Sequence, residues 1–204
     1  MVPALYTGGS APTFKANEGE FVSKIPKVFG GLVLTTKEGK LDIANVDNID
    51  LSEMDSSSPK TNLDIRKNYK DYVEFMNWVE KNKVSFGSSY LIVDNGAVDS
   101  GLGTGSYQKL RALYTTEDGS IEIFTSTNAI SLKDLAKIVA GLGAKRAISL
   151  DTGSHDLLQI EGITSGAGDV SDNMLGFFVP SDSVSVRTSS VDFPVENAPA
   201  DNTQ

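Results

Sequence analysis

Short apolar pieces surround Gly30-Gly31, and Leu32-Val33-Leu34 then runs into the turn Lys37-Glu38-Gly39-Lys40, a pattern that predicts a β-hairpin. Between Asn45 and Thr61 the periodicity disappears. Asp, Ser and Asn dominate there, with Ser56-Ser57-Ser58-Pro59 at the centre, which predicts an exposed insertion near 45–62. Tyr69, Tyr72, Val73, Met76 and Val79 recur at three- and four-residue spacing between charged residues, so the spacing predicts a helix over 64–83 with one face on a sheet. Tyr90-Leu91-Ile92-Val93 reads as a short buried strand ended by Asp94-Asn95-Gly96. A second hairpin is predicted where Leu110 to Tyr114 and Ile121 to Phe124 flank Glu117-Asp118-Gly119.

Ser131, with Asp134 three residues on, marks the start of the clearest helix. Leu132, Leu135, Ala136, Val139 and Leu142 form its apolar face, and Gly143 suits the left-handed residue that ends it. Ala147-Ile148-Ser149-Leu150 follows as a strand that delivers Asp151 to a glycine-containing turn. Beyond Val179 the chain is rich in Ser, Asp, Pro and Asn, and residues 185–204 read as a polar tail after a single domain over 1–184. No internal repeat is legible. The expected fold class is α+β: a mixed, largely antiparallel sheet with packed helices.

Composition narrows the function. The 204 residues suffice for one large domain, and 39% hydrophobic with 22% charged content is that of a globular protein. A net charge of −9, with no run of Lys or Arg longer than two, argues against a nucleic-acid partner. No stretch approaches the apolar length of a membrane span, and the first thirteen residues carry no export signal, so no membrane partner is expected and a cytoplasmic or virion-associated location fits. The absence of cysteine removes disulfides, thiolate nucleophiles and thiolate zinc sites.

Asp151-Thr152-Gly153-Ser154-His155 places a carboxylate, two hydroxyls and an imidazole on one turn at a strand end, where backbone N–H groups can face an anion. A tight turn in which Asp151 accepts backbone hydrogen bonds is the alternative. Asp151, Ser154 and His155 stand too close along the chain for triad geometry. A single histidine excludes a histidine-rich metal site, and no cofactor is expected. Gly101-Leu102-Gly103-Thr104-Gly105 precedes a predicted strand, not the helix N-terminus that a dinucleotide site requires, and reads as a loop.

The order Leu110-Arg111-Ala112, Glu117-Asp118-Gly119, Ile121-Glu122-Ile123, Ser131-Leu132-Lys133-Asp134-Leu135-Ala136, Leu142-Gly143-Ala144 and Ala147-Ile148-Ser149-Leu150-Asp151 resembles the phosphodiester glycosidase family. That family's core has an Arg-led strand, a glycine turn, a second strand, a helix, a Leu-Gly pair and an Asp-Gly-Gly-Gly-Ser loop. Upstream, Asn17-Glu18-Gly19-Glu20-Phe21 resembles its Asn-Gly-Gly-Phe-Phe segment. The resemblance implies hydrolysis or binding of a sugar-1-phosphodiester. Arg111 would neutralise phosphate, Asp151 would be the first carboxylate and Glu18 the second. Asn17, Gly153, Ser154 and His155 would line the substrate. The chain departs from the family where Thr152 and His155 stand in the glycine-rich loop, since neither adopts positive φ freely and the phosphate nest is altered.

Two other readings stay open. Leu150-Asp151-Thr152-Gly153-Ser154 also resembles the Asp-Thr-Gly-Ser loop of aspartic proteases, which would require a homodimer to supply the second carboxylate. A non-catalytic carbohydrate-binding or structural module of a larger assembly such as a viral particle, with protein partners engaged through the polar termini, is the third.

Overall fold

The structure is a computed structural model that describes residues 2–7, 14–23, 29–36, 38–58, 62–150, 156–160, 163–167 and 173–178. Its elements in chain order are β1 (Val2–Thr7), β2 (Lys15–Asn17), β3 (Glu20–Ser23), β4 (Gly30–Thr35), β5 (Leu41–Asn45), β6 (Ile49–Asp50), α1 (Leu51–Met54), β7 (Asn62–Leu63), α2 (Tyr69–Asn82), β8 (Ser85–Asp94), β9 (Ala97–Val98), β10 (Arg111–Thr116), β11 (Ile121–Thr125), α3 (Leu132–Gly141), β12 (Ala144–Leu150), β13 (Asp156–Ile160), β14 (Ile163–Ala167) and β15 (Asn173–Phe178). The fold is α+β. Every strand pair among the described residues is antiparallel.

β8 is the hub of the main sheet. One edge holds β12 and then β2, and the other holds β4 and then β9; β10–β11 extends the sheet from β12, and β5 extends it from β4. Side chains alternate across the sheet, which separates the core into clusters. Leu110, Ala112, Tyr114, Ile92 and Ala147 meet Leu135, Ala136 and Val139 of α3. Phe14, Leu32, Leu34 and Phe86 meet Phe75, Trp78 and Val79 of α2. A third cluster joins Val33, Leu41 and Ile43 of the first hairpin to Leu113 and Ile148.

Both predicted hairpins form, and they are copies of one another. In β4–β5 the pairs run from Thr35↔Leu41 to Gly31↔Asn45; in β10–β11 they run from Thr115↔Ile121 to Arg111↔Thr125, each residue eighty positions after its counterpart. Their turns share the same hydrogen bonds: Thr36 N to Lys40 C=O at 2.9 Å with Gly39 N to Thr36 C=O at 2.9 Å, and Thr116 N to Ser120 C=O at 3.0 Å with Gly119 N to Thr116 C=O at 3.0 Å. Gly39 and Gly119 both stand at φ 82°, the left-handed conformation that glycine adopts without steric penalty. In each half a helix, α2 or α3, leads into a strand that returns to pair with the first strand of the hairpin, β8 with β4 and β12 with β10; the first half also carries β6, α1 and β7 between hairpin and helix. Since β8 and β12 are themselves antiparallel, the sheet path β5-β4-β8-β12-β10-β11 is two ββαβ units face to face about a pseudo-twofold axis. The sequence conceals this because identity survives at few positions, chiefly the two threonines and the glycine of each turn.

Three further expectations are corrected. The segment over 45–62 is not exposed throughout: it contributes β6, α1 and the first residue of β7, and Val46, Ile49, Leu51 and Met54 are buried in the core that α2 covers, whereas Ser56 and Ser57 are exposed. Its apolar residues lie singly among Asp and Ser, so no periodicity betrays them. Helix α2 starts at Tyr69 and not at Asp64, because Asp64 Oδ1 accepts the Arg66 and Lys67 N–H groups in a turn and Asn68 Oδ1 caps Lys70 N at 3.0 Å. Its buried residues are Phe75, Trp78 and Val79, whereas Tyr69 is 80% exposed. For α3 the start and the end hold, since Ser131 Oγ accepts from Asp134 N at 3.1 Å and Gly143 takes φ 92°, but Leu142, expected on the apolar face, is the C-cap and is exposed, and Leu135, Ala136 and Val139 are the buried residues. The proposed tail over 185–204 lies outside the described residues.

Candidate functional site

Arg111 opens β10 between two partners, opposite Thr125 of β11 on one side and Leu150 of β12 on the other. Alternation puts it on the face of Leu113, away from α3, and there it is 5% exposed. Its Nε donates to Thr125 Oγ1 at 3.0 Å. The strand pair is closed just beyond it: Leu110 N donates to Ser126 Oγ at 2.7 Å, Ser126 N to Leu110 C=O at 2.9 Å, and Gln108 and Ile130 bond each other in both directions. A guanidinium so placed is a rigid, permanently charged fork at the end of two strands, suited to an anionic oxygen.

Leu150 is the last described residue of β12, so the strand pairing carries the chain beside Arg111 immediately before Asp151. Asp151, Gly153, Ser154 and His155 lie outside the described residues, as does Thr152.

Asn17 and Glu18 belong to the β2–β3 turn. Asn17 Oδ1 accepts from Ser85 Oγ at 3.4 Å, and the same hydroxyl accepts Glu18 N at 2.8 Å. Glu18 is exposed at φ 47°, and Gly19 N donates to Val84 C=O at 3.0 Å, which seats the turn on the end of α2. β2 joins β8 at Phe86 and Gly87, whereas β12 joins it from Tyr90 to Val93. Ser85 and Ser89 are therefore about 13 Å apart along β8 at the rise of a strand. The structure brings Asn17 and Glu18 together, and brings Arg111 beside Leu150, on different stretches of the sheet.

A second polar constellation was not foreseen. Arg146, on β12, is buried and reaches Glu53 Oε2 at 2.5 Å, Asp94 Oδ1 at 3.3 Å, Asp42 Oδ2 at 3.8 Å and the Ile43 C=O at 3.2 Å. Lys145 Nζ stands 3.6 Å from Glu53, Lys40 donates to the Glu53 C=O, and Asn45 Nδ2 donates to Asp94 at 2.9 Å. Burial opposes the charge on Arg146, but its carboxylate neighbours, Glu53 first, raise its pKa further. Asp42 is held above its ordinary value chiefly by burial. A cleft of about 560 Å³ opens at this end between the two hairpin turns, lined by Lys40, Asp42, Glu53, Glu117 and Lys145. Of its cations, Lys145 is met by the Glu53 carboxylate and Lys40 by the Glu53 carbonyl, and Arg146 bonds the carbonyl of an edge strand; this constellation ties β5 and α1 to β12.

Thr125 also went unread, although counting outward from the Gly119 turn pairs it with Arg111. Arg146 carried no such signal, since its partners come from β5, α1 and β8. Among the described residues no three His, Cys, Asp or Glu side chains converge as a metal set, and no helix is long and apolar enough to cross a membrane.

No family model matches the sequence, and no curated protein matches it. Among solved structures the fold is similar to the catalytic domain of zebrafish N-acetylglucosamine-1-phosphodiester alpha-N-acetylglucosaminidase, auto-inhibited by its pro-peptide, with a TM-score of 0.50 at 12% sequence identity. The alignment covers 81% of this chain and 55% of that one, so the chain spans about half the length of its neighbour. At this identity the likeness is one of fold.

Proposed function

We propose that this chain is a divergent phosphodiester glycosidase-like domain that receives a sugar-1-phosphodiester at the end of β10 and β12, with Arg111 against the phosphate and Asp151 as the carboxylate nearest the glycosidic bond. The observation that carries this reading is the contrast between Arg111 and its counterpart. In the twin unit the same place, between the two corresponding strands, is held by Gly31. The ββαβ architecture therefore does not by itself call for a cation there, and a planar guanidinium fork matches the geometry of a phosphate. The order of motifs from Arg111 to Asp151 and the shared fold with the zebrafish domain support the same reading.

Hydrolysis would require Asp151 to assist departure of the phosphate or attack of water across an oxocarbenium-like state. Thr152 and Ser154, which stand where the family loop has glycines, and His155, which stands where it has serine, favour a second reading in which the diester is bound and not cleaved. One experiment separates them. Wild type and Asp151→Asn are incubated with a panel of sugar-1-phosphodiesters, N-acetylglucosamine-1-phosphate methyl ester included, and both turnover and affinity are measured. Turnover that disappears in Asp151→Asn supports an enzyme; affinity without turnover supports a binding module. Neither turnover nor affinity on any diester would sink the proposal.

A further inference from the structure

Arg111 meets its strand partner through a side-chain bond that its twin cannot make, and from this we infer that Thr125 is the positioning residue that aims the Arg111 guanidinium at the phosphate. The inference rests on the reading of the Arg111 end as the diester site. Arg111 and Thr125 are directly paired across β10 and β11, and the Nε to Oγ1 distance is 3.0 Å. In the other unit Gly31 stands opposite Asn45, whose amide turns instead to Asp94 at 2.9 Å. The two halves thus use one pair position differently, and only the second half uses it to hold a cation.

An arginine side chain carries about 2 kcal/mol of rotamer entropy, and its value as an anion receptor depends on losing that freedom before the ligand arrives. A bond to Nε restrains the plane of the guanidinium and with it the direction of its two terminal nitrogens. Thr125 suits this task. Its hydroxyl sits on a β-branched side chain with restricted χ1, on a strand closed next door by the reciprocal Leu110–Ser126 bonds. The atom that accepts from Arg111 therefore has little freedom of its own.

The test compares Thr125→Val, which keeps shape and loses the acceptor, with Thr125→Ser, which keeps the acceptor. Affinity is measured for N-acetylglucosamine-1-phosphate methyl ester and for methyl N-acetylglucosaminide, which lacks the phosphate. Thermal unfolding and the Arg111 Nε–H resonance are followed alongside. Thr125→Val should weaken the diester by about tenfold, the usual scale for a bond to a charged group. It should leave the uncharged glycoside unchanged and speed exchange of the Nε proton, while Thr125→Ser stays within about twofold of wild type on the diester. Unchanged diester affinity in Thr125→Val, with an altered Nε resonance, would overturn the positioning role and leave the site standing. Equal loss on diester and glycoside would reduce Thr125 to a structural residue. If wild type itself binds no diester, the site reading fails and this role fails with it.

Discussion

Gly31 and Arg111 occupy the same place in two copies of one hairpin: each stands opposite a polar residue of the second strand and opposite the strand that returns after the helix. The two positions are nonetheless opposite in character. A Cβ on Gly31 would lie 2.7 Å from Ile148 Cγ2 and 3.2 Å from the Ser89 C=O, whereas Arg111 extends a long charged side chain from the corresponding point.

The contact at Gly31 predicts that Gly31→Ala destabilises the domain by about 1–3 kcal/mol, the range for overpacking a filled core. Urea unfolding monitored at Trp78 checks it. A loss below a few tenths of a kcal/mol would mean that Ile148 moves aside without resistance.

Arg111→Met should retain cooperative unfolding and the far-ultraviolet circular dichroism of the wild type while lowering affinity for a sugar-1-phosphodiester by tenfold or more, as expected when a fork donor for phosphate is removed. Calorimetric titration of the folded variant decides the matter. Undiminished affinity would detach Arg111 from the site.

Arg146 is a different kind of cation. Its partners Glu53, Asp42 and Asp94 come from three elements, and Arg146→Met would leave carboxylates facing an apolar side chain. The expected loss is about 2–3 kcal/mol, below the range for a fully buried pair because the Glu53 and Asp94 side chains remain 33% and 29% exposed. Chemical denaturation at pH 7 measures it, and the loss should shrink little in high salt because the cluster is partly shielded from solvent.

Asp42 gives that cluster a pH signature. Burial, opposed by the Ile43 N–H and by Arg146, holds its carboxyl above the ordinary 3.8. The folded chain then binds this proton more tightly than the unfolded chain, so the contribution is fully present below 3.8 and is lost as pH rises through the folded value. Compared with Asp42→Asn, the wild type should lose relative stability as pH rises upward from 3.8 and then level off. The exposed Asp55 and Asp118, whose pKa values are lowered by neighbouring Ser and Thr bonds, shift stability in the opposite sense but identically in both proteins. A wild type that gains stability relative to Asp42→Asn as pH rises would contradict the assignment.

Tyr114 donates to Glu122 beneath α3, and burial first, then the carboxylate, raises its pKa well above the ordinary 10. Burial raises the pKa of Tyr72 as well, but that of Tyr114 is raised further, so absorbance at alkaline pH should keep a late phase that belongs to Tyr114. Stability linked to Tyr114 is present below pH 10 and is lost as pH climbs through its folded value. Tyr114→Phe should remove the late phase alone.

By itself the sequence determined what neighbours along the chain decide. The hairpin turns at Gly39 and Gly119 were legible because a left-handed residue needs glycine, and α3 was legible because Ser131 and its apolar stripe act within three or four residues. The α+β class followed from those elements. Arg111 was legible as a candidate, and so was the strand leading to Asp151. Only the tertiary structure decided how these pieces meet: that Val46, Ile49, Leu51 and Met54 are folded into the core, that the turn with Asn17 and Glu18 follows a strand that joins β8 away from the end of β12, and that Arg146 gathers carboxylates from three elements. The duplication belongs with these. Strand register is a property of backbone pairing, which side chains specify through burial and turn length, not through identity. Two hairpins can therefore keep one geometry while Gly31 and Arg111 part company completely.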